Sequence, residues 1–284
     1  MARPETPEAA EAHIKAIRKA NGFDAEPGVA GSIIHALDKS LSIISEELYQ
    51  KSSRFLMEIL QNADDCFYND PTPTMELTYR NGRLRIDYNE VGFTRHDVEA
   101  LCSISSTKLK SMNQTGEKGI GFKSVFKMSH QAQVLSGHYS FAFDAKRKLG
   151  TITPEWVVNA AKRRPGFTSI LLHIQEELKQ DELILELKSM GHKHLVFLRR
   201  LQRINITIDD NQGKTWETKL HREDKNSAGG YRRIITSSHD SQTLEYWIYP
   251  HIVKTLPSEP KRQHYTESAI LLAFPVRGGP VPNP

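Results

Sequence analysis

Residues 75–88 read MELTYRNGRLRIDY, two alternating apolar and polar runs split by Asn81-Gly82. An Asn-Gly pair accepts the positive φ angles that a two-residue hairpin turn of the right twist demands. The runs are therefore expected as antiparallel strands with one buried face. Immediately before them, residues 54–67 place Phe55, Leu56, Ile59, Leu60, Ala63 and Phe67 at helical spacing, and Pro71 and Pro73 end the pattern. Helical and strand patterns thus stand side by side in one chain, which predicts both kinds of element in the fold.

The rest of the chain extends this pattern. Residues 8–20 and 31–49 have helical apolar spacing, with Gly28 and Gly31 between them. In TRHDVEALCSI (94–104), Thr94 is expected to cap a helix with Asp97 three residues on. Residues 105–115 lack periodicity and read as a loop, and KSVFKMS reads as the start of another helix. QAQVLSGHYSFAFD predicts a second hairpin and FTSILLHI a further strand. Residues 176–203 read as two charged helices. RINITID, TWETKL, YRRIIT, TLEYWIYP and SAILLAFP then read as short strands. The division expected is a helical extension over 1–30, a main domain over 31–190 and a β-rich region over 191–284. The polar ending GGPVPNP predicts that this region is truncated and that a longer parent chain continues.

Composition narrows the classes of function. A formal net charge of +4 on 284 residues is too mild to argue for nucleic acid. The local basic clusters at 146–148, 162–164 and 199–203 read as solvated faces. Two cysteines, Cys66 and Cys102, make neither a zinc spacing nor a disulfide framework. No apolar run is long enough to span a membrane, and the charged N-terminus is no signal peptide. An intracellular protein, cytoplasmic or nuclear, is expected.

Two stretches carry chemistry. On the helix at 54–67, Glu58, Asn62 and Asp65 stand at i, i+4 and i+7, so they project to nearly the same side. A solvated face would give such a stripe too, but it would normally mix in cations, and this one has none. Aligned oxygen donors suit a hydrated divalent cation, and a nearby carboxylate can take a proton from water. The second stretch is GEKGIGFKSVF (116–126). Backbone amides freed of side chains can wrap an anion, and Lys118 and Lys123 add positive charge. The spacing is neither that of the Walker loop nor that of the dinucleotide-binding loop. Glycines that serve only to bend a turn are the alternative.

Taken in order, these motifs resemble the GHKL ATPases, the group that holds type II gyrases, heat-shock chaperones, histidine kinases and MutL-type repair proteins. FLMEILQNADD resembles their N-box, NEVGFT a degenerate first glycine box and GEKGIGFKSVF the second. FTSILLHI resembles the closing strand that carries a threonine. The texture is most similar to the subgroup typified by sacsin and the plant No Vein protein, and the resemblance covers roughly residues 30–175.

The resemblance implies an α+β fold, a two-layer α/β sandwich with helices on one face of a mixed, mostly antiparallel sheet and a smaller β-rich region after it, that binds ATP and Mg2+. By it, Glu58 is the general base, Asn62 the Mg2+ ligand and Asp65 an acid near the nucleotide. Gly92 lies beside the adenine pocket. Ser106, Thr107 and Lys108 begin the lid over ATP. Gly116, Lys118, Gly119, Ile120, Gly121 and Phe122 form the phosphate loop, with Lys123 a candidate counter-charge and Thr168 the closing-strand threonine. Lys123 lies a turn into the expected helix, so a plain surface role stays open for it. One departure stands out. The family's adenine-reading Asp falls four residues before Gly92, where this chain has Tyr88. Asp87 and Asn89 flank it and are the alternatives, Asn89 being favoured. Slow Mg2+-dependent ATP hydrolysis that drives lid closure, with an ATP-dependent dimer, is the function implied. A nucleotide switch without turnover, or a scaffold associated with chromatin or nucleic acid, is the alternative.

Overall fold

The computed structural model describes residues 2–21, 39, 53–103, 121–158, 161–174, 176–209, 214–227, 229–255 and 267–276. Helix α1 (Pro7–Ala20) opens the chain, with the Thr6 hydroxyl accepting from the Ala9 amide and Pro7 in the first turn. Helix α2 (Ser53–Asp64) leads into β1 (Thr74–Arg80) and β2 (Arg83–Tyr88). Asn81 and Gly82 take φ of 50° and 69° between these strands, the hairpin turn anticipated for an Asn-Gly pair. Helix α3 (Arg95–Leu101) follows, and Thr94 and Asp97 form its capping box. A 3-10 helix (Gly121–Lys127) precedes β3 (Gln131–Ser136) and β4 (Tyr139–Asp144), then β5 (Glu155–Trp156) and β6 (Thr168–His173). Helix α4 (Glu177–Ser189) leads to β7 (Arg203–Asp209), β8 (Thr215–Ser227), β9 (Gly230–Ser237), β10 (Thr243–Val253) and β11 (Ser268–Pro275). The helix expected over 31–49 lies outside the described residues.

The eleven strands among the described residues form one sheet in the order β11-β10-β9-β8-β7-β1-β2-β6-β3-β4-β5. The only parallel pair among them is β1 with β7. Register explains the shared core. Ile206 lies beside Leu77, Leu77 opposite Ile86, Ile86 opposite Ile170, Ile170 opposite Val134, and Val134 opposite Phe141. This row points to one face and is buried throughout, in one cluster with Ala10 and Ile14 of α1 and Phe55, Ile59 and Leu60 of α2. Val98 of α3 and Leu183 and Leu187 of α4 complete that cluster. Each such side chain contributes about 1.5–3 kcal/mol on burial. The opposite face is polar at its centre, where Arg85 pairs with Asp87 and Arg164 with Glu76.

The strands of the β-rich region continue the sheet that β1 and β2 belong to. Ile204, Ile206 and Ile208 of β7 lie alongside Met75, Leu77 and Tyr79 of β1, so β7–β11 extend the same sheet. Residues 176–203 hold one α-helix rather than two. After Ser189 come a 3-10 turn at His192–His194 and an irregular strap. The strap carbonyls of Leu195, Val196, Leu198 and Arg199 accept from Arg222 and Arg233 instead of from helical amides.

Candidate functional site

The face of α2 that carries the polar stripe meets the 3-10 helix that follows the glycine box. A Cβ built on Gly121 would fall 2.4 Å from Glu58 Oε2 and 3.3 Å from its Cδ. That is far inside contact distance, so a glycine is what lets the Glu58 carboxylate lie on this backbone. The φ of Gly121 is ordinary, so close approach, and not backbone conformation, is the demand at this position. Phe122, next in the chain, is buried and packs on Phe143 with ring centroids 5.8 Å apart.

Beside this contact lies a small pocket, open on one side. Ile59, Asn62 and Cys66 of α2 and the segment after it form one wall, and Phe122 lies next to them. Tyr88, Phe93, Ile170, Asp97 and Leu101 form the rest. The lining is largely apolar, with Asn62, Tyr88 and Asp97 as its polar members. A few polar groups on an apolar wall are the usual lining of a small-molecule site. Burial holds the Tyr88 hydroxyl far above the usual phenol range, so it stays protonated and can donate. The Asp97 carboxylate accepts from the Thr94 amide (3.0 Å) and hydroxyl (2.7 Å), which fixes its orientation at the start of α3.

Behind Tyr88 sits a buried polar cluster. Thr168 donates to Glu90 Oε1 and lies 2.6 Å from the Ser136 hydroxyl. Ser136 Oγ in turn accepts from the Phe93 amide at 2.8 Å. Gly92 has a φ of +93°, where a side chain would be strained, and its carbonyl accepts from Arg3 at 3.0 Å. The first glycine box is thus held from one side by the N-terminal segment and from the other by the sheet.

The structure therefore brings together Glu58, Asn62, Gly121, Phe122 and, one layer back, Gly92 and Thr168. It gives other candidates different places. Asp87 turns to the opposite face of the sheet, where Arg85 (2.8 Å) and Ser169 bind it. Asn89 Oδ1 accepts from the Thr74 amide at 2.7 Å and its Nδ2 donates to the Thr72 carbonyl at 3.1 Å, which pins the start of β1. Neither lines the pocket. Lys123 is buried, and its Nζ donates to the Leu101 and Thr151 carbonyls at 2.7 and 2.8 Å. Burial lowers its pKa to about 8, only partly countered by Cys102. Asp65 follows the end of α2, is 1 % exposed and pairs with Arg199 at 2.5 Å. Ser106, Thr107, Lys108, Gly116, Lys118, Gly119 and Ile120 lie outside the described residues.

Sequence reasoning passed over Glu90 and Asp97 as site groups. For Glu90 a signal existed: an acid two residues before Gly92, within the same short box. Asp97 was recognised only as a capping residue. Among the described residues no three His, Cys, Asp or Glu side chains gather as a metal cage, and no helix is long and apolar enough to cross a membrane.

No family model matches the chain. Protein NO VEIN of Arabidopsis thaliana is 38% identical over 121 residues, 42% of this chain and 4% of that protein. Chaperone protein HtpG of Myxococcus xanthus is 22% identical over 244 residues, 74% of this chain and 37% of that protein. The chain thus spans only a small part of the first relative and well under half of the second. Both similarities agree with a No Vein-like module related at a distance to a chaperone.

Proposed function

We propose that this chain binds ATP with Mg2+ in the pocket between α2 and α3, with the phosphates toward Gly121. The observation that carries the reading is the approach of Glu58 to Gly121, too close for any side chain between them. Two stretches more than fifty residues apart, each singled out for its own chemistry, meet at one point. The similarity to a chaperone and the order of the motifs support the same reading.

The residues present fit the group. In the pocket, Ile59, Phe93, Leu101 and Ile170 offer apolar contact to a base, and Tyr88 and Asp97 offer the polar contacts that orient it. Mg2+ keeps several waters and is bound through one or two protein oxygens plus phosphate, so a carboxylate cage is not required. Asn62 is the residue that would hold it, and the ion would neutralise charge on the phosphates when bound. Glu58 is set to accept a proton from a water at the backbone of Gly121. The base is read by Tyr88 and Asp97, with Glu90 and Thr168 behind them, in place of Asp87 or Asn89.

A switch that binds nucleotide without turnover would use the same groups except Glu58. Calorimetry on two variants separates the readings. Glu58→Ala keeps ATP·Mg2+ affinity and loses hydrolysis, while Asn62→Ala loses Mg2+-dependent affinity. Equal loss of affinity in both variants contradicts the assigned roles. Full turnover in Glu58→Ala contradicts a base at that position.

A further inference from the structure

Between the end of α2 and the strands β8–β9 runs the strap at residues 195–201, held from both sides by buried charges. On the α2 side, Asp64 Oδ2 accepts from the Arg199 amide at 2.8 Å, and Oδ1 accepts from the Arg200 and Leu201 amides at 2.7 and 2.8 Å. Asp65 pairs with the Arg199 guanidinium, and Arg200 donates to the Asp65 carbonyl at 2.9 Å. On the sheet side, Arg233 donates to the Val196 and Leu198 carbonyls at 2.6 and 2.8 Å, and Asp224 of β8 grips its other edge at 2.7 Å. Arg222 donates to the carbonyls of Leu198 and Arg199. Asp64, Asp65, Arg222 and Arg233 are all buried.

Such a cluster is a costly adhesive. Taking several charges out of water costs several kcal/mol each before pairing, and apolar packing of the same volume would hold two elements together at least as well. Burial, and after it the neighbouring Arg233, lowers Arg222 to about 10, and its Nε has no hydrogen-bond partner among the described residues. What charged clamps supply that apolar contacts do not is a single geometry, because each hydrogen bond fixes a direction. The element being fixed is the one that carries Glu58 and Asn62, and Asp64 follows Asn62 by two residues.

We infer that Asp64 and Asp65 are positioning residues for the site on α2, and that the strap joins this site mechanically to Arg222 and Arg233, so that β8–β9 respond to what the pocket holds. The inference rests on the nucleotide reading above. Glu58 and Asn62 move only as α2 moves, and α2 cannot turn or slide without breaking the three amide bonds to Asp64 or carrying the strap along. A ligand that restricts α2 thereby restricts the strap, and the strap restricts the strands that grip its carbonyls.

The test is hydrogen exchange with mass spectrometry on the full chain, with and without saturating ATP·Mg2+. In the unmodified chain, nucleotide slows exchange over 121–127 next to the site and, about tenfold, over 216–237. Asp64→Asn places amide hydrogens against backbone donors and breaks the clamp. Arg199→Gln removes only the pair with Asp65 and keeps the rest of the chain intact if the first variant fails to fold. In both, the slowing at 121–127 persists, while that at 216–237 is lost in Asp64→Asn and diminished in Arg199→Gln. Slowing at 121–127 with none at 216–237 in the unmodified chain overturns the coupling, as does an undiminished response at 216–237 in both variants. No slowing anywhere overturns the nucleotide reading, and this inference with it.

Discussion

Consider the substitution of Gly121 by alanine. The added Cβ would lie 2.4 Å from Glu58 Oε2, whereas ordinary contacts begin near 3.4 Å, so one of the two must retreat by about 1 Å. The backbone of Gly121 is held in the 3-10 helix and by the Ser124 hydroxyl, which donates to its carbonyl at 2.6 Å. The carboxylate is the far end of a flexible side chain, so Glu58 gives way. Its strain on leaving a preferred rotamer is about 0.5–1.5 kcal/mol. Replacing glycine at an ordinary φ returns about 0.4–1 kcal/mol through the unfolded chain. These terms nearly cancel, so urea denaturation should find the variant within about 1 kcal/mol of the parent. Chemistry should not be spared, since a group displaced by 1 Å costs about a hundredfold in rate. Single-turnover ATP hydrolysis is expected to fall by that factor with a smaller loss of affinity. Gly121→Val adds two further methyl groups and abolishes binding in a folded protein. A folded Gly121→Ala with unchanged affinity and rate would refute the argument that the glycine is there for close approach.

Two other expectations follow from buried polar groups. Thr168→Val keeps the shape of the closing strand but removes the hydroxyl shared by Glu90 and Ser136, so it should destabilise by about 1–3 kcal/mol and weaken ATP affinity, read by denaturation and calorimetry. Lys123 is ordinarily protonated up to about 10.5 but in the fold only up to about 8, so between these values the unfolded chain holds more protons. Its share of stability therefore rises with pH across that window, by roughly 3 kcal/mol in full. Lys123→Met should lack the rise, and measuring both proteins from pH 8 upward tests it. Cys102, whose thiol is pushed up to about 12 by burial, gives an opposing loss at the upper end of this range.

Local features were the legible ones. The Asn81-Gly82 turn, the Thr94 capping box and the alternation of β1 and β2 each depend on a few adjacent residues, and the structure has them where the sequence puts them. What depended on distant partners was hidden. The pairing of β7 with β1 joins segments far apart in the chain, and only their matching apolar faces mark it. On α2, Glu58 lies against Gly121 and Asn62 lines the pocket, whereas Asp65, just past the last helical residue Asp64, is paired with Arg199. At the end of β2 the alternation decides which side chain faces the pocket. Tyr88 points in, Asp87 points to the opposite face, and Asn89, just past the strand, turns back to β1. A one-residue change of register reverses such an assignment, and no composition argument detects it. Lys123 looked like a phosphate ligand because it follows three glycines, yet the carbonyls of Leu101 and Thr151 needed a buried donor.

The central claim is that the pocket between α2 and α3 holds ATP with Mg2+. The most direct measurement is the unfolding free energy of the chain with and without ATP·Mg2+, beside an Asn62→Ala control. Nucleotide at about one hundred times its Kd should add roughly 2.7 kcal/mol to the parent and nothing to the control. An unchanged free energy at millimolar ATP·Mg2+, or an equal gain in the control, would contradict it.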